Sequence, residues 1–325
     1  VGPNRPSVSG PIVLTGDVGG TKALLELGVV ESRALKVLHR AEKPSGDYGN
    51  LEALLGSFLE EARLETRPQI AVFSVAAPIV HGRGRFTNLP WQLDEAVCAR
   101  TLGIERVVLL NDFVSACYGL DDLAPKDLLT LSPGRPDASA PRIVLGAGTG
   151  LGQAYLIPGP DGPLAFASEG GHSGFAPRDA GDHPLHCYLL EHYGSRVSQE
   201  RVLSGDGLAR LEAFLRGGSP TEPADVTMRA KAGDPQALSA VRLFLALYGA
   251  YAGDVALHFL PRGGVYIAGG IVTRLRPWIA DSAFLSAFLD KGRMRELLES
   301  VPVHVVLDPD LELLGARRHA LRTLR

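Results

Sequence analysis

Short apolar runs broken by glycine turns set the pattern along the chain. Residues 11–30, PIVLTGDVGGTKALLELGVV, open with a short β-branched run, turn through Asp17 to Lys22, and resume as an apolar strand from Ala23. That alternation predicts a glycine hairpin. In GNLEALLGSFLEEARLE the residues Leu51, Leu54, Leu55, Phe58 and Leu59 recur at helical spacing, and IAVFSVAAP then supplies a buried strand ending at Pro78. LDEAVCARTLG predicts a helix stopped near Gly103, followed by the strand RVVLLND and the helical FVSACYGL. Asn111 and Asp112 therefore stand where a buried strand ends and a helix begins.

The second half repeats the theme. RIVLGAGTGLGQAYL is again strand, glycine turn and strand, and helical segments follow before a buried strand in GGVYIAGG. Two matching hairpins suggest an internal duplication. PDASAP at 136–141 separates the halves as a surface connection but need not be the domain hinge, which is equally placed just after Asp112, with the last helix, LLGARRHALRTL, returning to the first domain. LFLALYGAYAG at 243–253, bounded by Arg242 and Asp254, falls short of the roughly 18 apolar residues of a membrane span and is expected to be a buried helix.

With 325 residues the chain exceeds the usual domain of about 150, which points to two domains. Its 45% hydrophobic and 21% charged residues are those of a folded globular protein. A net charge of -3 with both signs interspersed gives no cationic face for nucleic acid or an anionic membrane. Cys98, Cys117 and Cys187 form no C-x-x-C pair and are expected as reduced thiols in a cytoplasmic protein. The opening VGPNRPSVSGP lacks the apolar core of a signal peptide and is expected to be a flexible leader.

Five segments carry candidate chemistry. In Asp17, Val18, Gly19, Gly20, Thr21 and Lys22, two glycines let backbone N–H groups approach a phosphate. Thr21 adds a hydroxyl and Asp17 a carboxylate for hydrated Mg²⁺. Gly146, Gly148, Thr149, Gly150 and Gly152 form a second such turn that fails the dinucleotide pattern, because Leu151 occupies its last glycine position, and the chain holds no G-K-[ST]. Either turn alone reads as a tight hairpin; the pair reads better as a two-sided phosphate clamp. Asp112 is positioned to accept a proton from a substrate hydroxyl, although an aspartate at a helix start also serves as an N-cap. Glu169, Gly170, Gly171 and His172, with Glu200, offer the fixed carboxylates and imidazole that sugar hydroxyls need, and the two glycines would let a sugar approach the backbone. No H-E-x-x-H supports a metal site there, and His183 and His186 are expected at the surface. Ala268, Gly269 and Gly270 at a strand end admit an adenine ring or close helix packing equally well.

Taken in this order, the segments resemble the bacterial glucokinase family of the actin-like ATPase and sugar-kinase superfamily. LTGDVGGTKALL is similar to its first phosphate segment, VVLLNDFVSACYGL to its catalytic segment and IVLGAGTGLGQAYL to its second phosphate segment. ASEGGHSGFAP and SQERVLSGDGL resemble its sugar-binding segments, and GGVYIAGGIVTRL its adenosine segment. The resemblance runs from about residue 12 to the C-terminus.

It implies two actin-like (ribonuclease H-like) α/β domains, residues 1–112 with 311–325 and residues 113–310, that close over a cleft. It implies phosphorylation of the 6-hydroxyl of glucose by ATP with Mg²⁺, in a cytoplasmic homodimer. Asn111, Asp112, Glu169, His172 and Glu200 would hold the sugar, Asp112 also being the base, while Asn88 in FTNLPW matches a cleft segment more loosely. Asp17, Gly19, Gly20, Thr21, Lys22, Gly148, Thr149, Gly150, Gly269 and Gly270 would hold the nucleotide, and Asp17 the metal through water. The cysteine-rich zinc segment of the related repressor and kinase family has no counterpart after His172. Asp254 in YAGDVAL stands where the family more often has a neutral polar residue. A sugar-sensing regulator on the same scaffold would need a DNA-reading domain before the first phosphate segment. An ATP-dependent structural module would have no use for Glu169, His172 and Glu200.

Overall fold

A computed structural model of the chain describes residues 10–64, 66–86, 88–281 and 283–324. Most of the opening segment read as a leader lies outside the described residues. Two compact units are present: Val1–Leu123 with Asp310–Arg325, and Ala124–Pro309.

In the first unit the chain runs β1 (Ile12–Val18), β2 (Lys22–Glu31), β3 (Ala34–Pro44), α1 (Leu51–Ala62), β4 (Ile70–Val75), β5 (Ile79–Val80), β6 (Arg83–Arg85), β7 (Gln92–Asp94), α2 (Glu95–Leu102), β8 (Arg106–Asn111) and α3 (Asp112–Gly119). The second unit holds β9 (Leu128–Ser132), β10 (Arg142–Ala147), β11 (Leu151–Ile157), β12 (Leu164–Ser168), α4 (His183–Tyr193), α5 (Gln199–Val202), α6 (Gly205–Arg216), α7 (Pro223–Lys231), α8 (Pro235–Phe259), β13 (Gly264–Ala268), α9 (Gly270–Ile279), α10 (Phe284–Leu289), α11 (Arg295–Glu299) and β14 (Val303–Val306). The last helix, α12 (Leu311–Thr323), belongs to the first unit.

The first unit is built on a five-stranded sheet of order β3-β2-β1-β4-β8, beside a small sheet β5-β6-β7. β1, β2 and β3 are antiparallel, whereas β4 and β8 run parallel to β1. The second unit's sheet has the order β12-β11-β10-β13-β14-β9, with an antiparallel hairpin followed by parallel β13 and β14. β10, β11 and β12 thus repeat the topology of β1, β2 and β3, and β13 and β14 that of β4 and β8. The two glycine hairpins are the first turn of each repeat.

Local sequence explains the elements. α1 starts where the Asn50 side chain accepts from Ala53 N at 2.8 Å, and it buries Leu51, Leu54, Leu55, Phe58 and Leu59. α2 is capped by Asp94 and ends at Gly103, whose φ of 64° favours glycine. β4 is buried along its whole length, as a strand covered on both faces must be.

One expectation is corrected. The apolar stretch at 243–253 belongs to a longer helix, α8, of 25 residues, long and apolar enough to cross a membrane by length and composition. Its most apolar window is 78% buried within the protein, so this helix is the centre of the second unit's core. The PDASAP segment is a connection within the second unit. It joins β9 to β10, and the boundaries fall after Leu123 and before Asp310. The reason is that β9, ahead of it, pairs with β14 and so belongs to the second sheet.

Candidate active site

In the first unit, Gly19 N donates to Lys22 O at 2.9 Å and closes the β1–β2 turn. Ser45 braces the turn from behind: its N–H donates to Thr21 O at 2.9 Å and its hydroxyl to Gly19 O at 2.8 Å. Thr21 stays exposed. A Cβ placed on Gly20 would meet Asn88 Cβ at 3.4 Å, so the structure seats Asn88 beside the turn. Lys22 extends instead toward Glu42 across the β2–β3 ladder, at 2.7 Å, and that carboxylate raises its pKa. With the Gly19 amide spent on closing the turn, the Gly20 and Thr21 amides and the Thr21 hydroxyl are the donors this segment can offer a ligand.

Asp17 is the penultimate residue of β1, and burial pushes its carboxyl above the ordinary range. Asp112 opens α3. The N-cap role belongs to its neighbour: Asn111 Oδ1 accepts from Phe113 N at 3.1 Å and Val114 N at 3.2 Å. Asp112 Oδ1 accepts from Asn111 Nδ2 at 2.8 Å and Phe113 N at 2.9 Å. Burial raises the Asp112 pKa to about 6 against the pull of these bonds, and the charge of Asp17 adds to the rise. The group is ionised at neutral pH yet close to its titration point, which suits a general base.

A third carboxyl adjoins these two. Glu312 lies in the first turn of α12, and burial, then the charges of Asp17, Asp112 and Asp310, push its pKa to about 8. It is held there by helix packing. Ser115, one turn below Asp112 on α3, donates from Oγ to Glu312 O at 2.7 Å, and Gly315 lies so close to Ser115 that a Cβ would overlap the Ser115 carbonyl.

In the second unit, Gly148 N donates to Gly150 O at 2.8 Å and closes the β10–β11 turn, while Gly205 N donates to Gly148 O at 2.9 Å. Glu200 Oε2 accepts from Leu151 N at 3.1 Å, tying the turn to α5. A Cβ on Gly148 or Gly270 would meet no atom within 4 Å, so open space adjoins both. Gly269 differs. Its φ of 95° and the Ala147 carbonyl 2.7 Å from a Cβ placed there require glycine for the chain's own sake. Gly148 to Gly150 and Gly269 to Gly270 thus follow adjacent strand ends, with the N-terminus of the ten-residue α9 starting at Gly270.

Glu169, His172 and Glu200 come together on this unit. His172 Nε2 lies 3.7 Å from Glu169 Oε2, and its Nδ1 lies 3.8 Å from Glu200 Oε1. Both separations are too long for direct hydrogen bonds, leaving capacity for a ligand. The side chains of Glu169 and His172 are 69% and 57% exposed, so a ligand can reach them. Glu200 is brought here because Phe175 N and Gln199 N donate to Val197 O and Ser173 O, each at 2.9 Å, which fastens 173–175 to 197–199.

The two glycines of this segment have a different cause from the one expected. A Cβ on Gly170 would overlap the Gln153 amide, and one on Gly171 would overlap the Leu151 carbonyl. They let the turn lie flat on β11. His183 is exposed, whereas His186 is partly buried edge-on against Phe175 at 5.9 Å. Asp254 pairs with Lys291 Nζ at 2.6 Å, joining α8 to the segment after α10.

Sequence reasoning missed Ser45, Gln153 and Glu312. Ser45 and Gln153 carry no local signal, since each acts on a turn distant in sequence. Glu312 was legible only as an acid in a helix's first turn, where acids are common.

A family profile described as Glucokinase matches residues 14–323. The glucokinase of Trichormus variabilis is 41% identical, over 96% of this chain and 99% of that relative. Among solved structures, a glucokinase from an Antarctic psychrotroph superposes with a TM-score of 0.86 at 27% identity, over 96% of this chain and 99% of that one. A ROK family glucokinase from Streptomyces griseus, in complex with glucose and AMPPNP, shares the fold with a TM-score of 0.63 at 21% identity, over 95% and 99% of the two chains. The α/β architecture is that of the actin-like, ribonuclease H-like class. On the match across nearly its whole length, the chain belongs to the glucokinase family.

Proposed function

We propose that the chain transfers the γ-phosphoryl group of ATP to the 6-hydroxyl of glucose, giving glucose 6-phosphate, with Asp112 as the base. Family membership makes it a sugar phosphotransferase. Asp112 would accept the hydroxyl proton as the oxygen attacks phosphorus, contributing roughly 10²- to 10⁴-fold to the rate. Asn111 fixes the Asp112 carboxylate through its 2.8 Å hydrogen bond, and its own carbonyl oxygen is committed to capping α3. Glu169, His172 and Glu200 would take sugar hydroxyls, with Asn111 and Asn88 as further contacts. A charged hydrogen bond of this kind contributes roughly 1.5 to 3 kcal/mol.

The amides of Gly20 and Thr21 and of Thr149 and Gly150 would cradle phosphate oxygens, with Gly19 and Gly148 closing the two turns, and the open space at Gly270 suits a flat adenosine. Among the described residues no three His, Cys, Asp or Glu are grouped to hold a metal ion. Asp17 alone fits the way Mg²⁺ binds with nucleotides, through water and phosphate oxygens with few protein ligands. Bound there, Mg²⁺ would neutralise phosphate charge.

A role in the first step of glycolysis, a cytoplasmic location and a homodimeric state complete the proposal, with the two compact units as its domains. The observation that carries it is the Asp112 carboxyl, oriented by Asn111 and raised to about 6. A coupled assay over glucose, mannose, glucosamine and fructose, with MgATP and other donors, tests it. Glucose with ATP is expected to give the highest kcat/KM; no turnover of any hexose would refute the proposal.

A further inference from the structure

We propose that Gln153, which is buried and distant in sequence from the sugar-binding segment, is a positioning residue that sets the geometry of Glu169 and His172 for glucose. The inference rests on the sugar-binding role proposed for those two residues.

Gln153 lies on β11 and is 4% exposed. Its register partner on β12 is Ser168, the residue before Glu169. Gln153 Nε2 donates to Ser168 Oγ at 2.9 Å and to the Tyr155 hydroxyl at 2.7 Å, while its Oε1 accepts from the Tyr251 hydroxyl at 2.6 Å. Ser168 Oγ in turn accepts from Gly170 N at 3.1 Å. The amide plane therefore lies directly beneath the 169–172 turn, in contact with the α-carbon of Gly170.

Tyr251 holds the other end of the amide. Its hydroxyl, kept protonated by burial, lines the same cavity wall as Ser173, the residue after His172. Ser173 O receives Gln199 N at 2.9 Å and so fixes the start of α5, where Glu200 stands. The hydrogen-bonded network thus grips the sugar segment at its start, through Ser168 and the Gly170 amide, while the Ser173 carbonyl ties its end to α5.

Apolar packing does not substitute for it. A cavity of about 500 Å³ lies against the network, walled by Gln153, Tyr155, Phe166, Ser168, Tyr251 and Phe259. A side chain that borders an empty volume is held by its hydrogen bonds, because neighbours are missing on one side. Loss of the Gln153 amide should therefore move the turn rather than the core.

The test is Gln153→Met, which keeps the chain length and removes both hydrogen-bonding groups, with Tyr251→Phe and Tyr155→Phe beside it. Glucose KM is expected to rise roughly tenfold in Gln153→Met, the size of one lost buried hydrogen bond, and less in Tyr251→Phe. ATP KM should stay within about twofold and kcat within about threefold. Tyr155→Phe leaves the amide's bonds to Ser168 and Tyr251 and is expected to behave as wild type. An unchanged glucose KM, or an equal rise in both KM values, overturns the positioning role. If Gln153→Met does not fold, an unchanged glucose KM in folded Tyr251→Phe overturns it instead. Failure of the wild-type protein to turn over glucose would refute the functional reading itself, which separates the two outcomes.

Discussion

Asp112 shows how a strand end and a helix start divide two jobs between adjacent residues. Asn111 caps α3 with Oδ1 and also steadies Asp112 with Nδ2, so that Asp112 gives one oxygen, Oδ1, to Phe113 N and to Asn111 rather than both to the helix end. The dipeptide alone did not distinguish base from cap, and the hydrogen-bond geometry assigns the cap to Asn111. Asp112→Asn keeps the shape while removing the proton acceptor. It should lower kcat roughly 10²- to 10⁴-fold and leave the glucose dissociation constant within a few-fold. The pH profile carries the same statement. A base must be deprotonated, so wild-type kcat/KM for glucose should rise through pH about 6, where burial has moved Asp112 in the free protein, and level off above it. Residual activity in Asp112→Asn should lack that limb; near-wild-type turnover in the variant would remove Asp112 from the mechanism.

At the scale of elements, glycines mark where one segment lies against another, and their surroundings decide what each tolerates. Gly315 brings α12 onto α3 so closely that a methyl group would overlap the Ser115 carbonyl, and the same contact holds Glu312 beside Asp17 and Asp112. Gly56, in the middle of α1, has no atom within 4 Å of a Cβ placed on it. Gly315→Ala is accordingly expected to destabilise by about 1 to 3 kcal/mol and to reduce turnover, since α12 must shift. Gly56→Ala should stabilise by about 0.5 to 1 kcal/mol, because alanine suits a helix interior better than glycine. Denaturant unfolding of both variants checks the contrast, and a Gly315→Ala protein as stable as wild type would contradict the close docking. The helix and strand periods that defined α1, β4, α2 and β8 were plain in the sequence because each buries one stripe or both faces. What presses on Gly170, Gly171 or Gly315 was not, since those contacts join residues far apart along the chain.

Across the whole molecule, the repeated hairpin was visible as two glycine turns with similar flanks, and the strand orders show how far the repetition extends. The pairing of β9 with β14, some 170 residues later, was not visible, because no local pattern announces it. The carboxyl set was equally hidden. Asp17, Asp112 and Glu312 are each ordinary in sequence, and only burial in one neighbourhood raises all three. This set has a consequence for the stability of the entire chain. A carboxyl whose pKa is raised by folding binds its proton more tightly in the native state, so its contribution is complete below the unfolded pKa and is lost as pH rises through the folded value. For Asp112 the window runs from about 3.8 to about 6, and for Glu312 from about 4.5 to about 8. Without ligands, the protein should therefore lose stability between pH 6 and 8.5 through Glu312. Glu312→Gln, which stays neutral, should lose less over that interval and be the more stable of the two proteins at pH 8.5. Thermal unfolding of both at pH 6 and 8.5 measures the difference: parallel losses in Tm would show that Glu312 titrates as an ordinary carboxyl, already ionised at the lower pH.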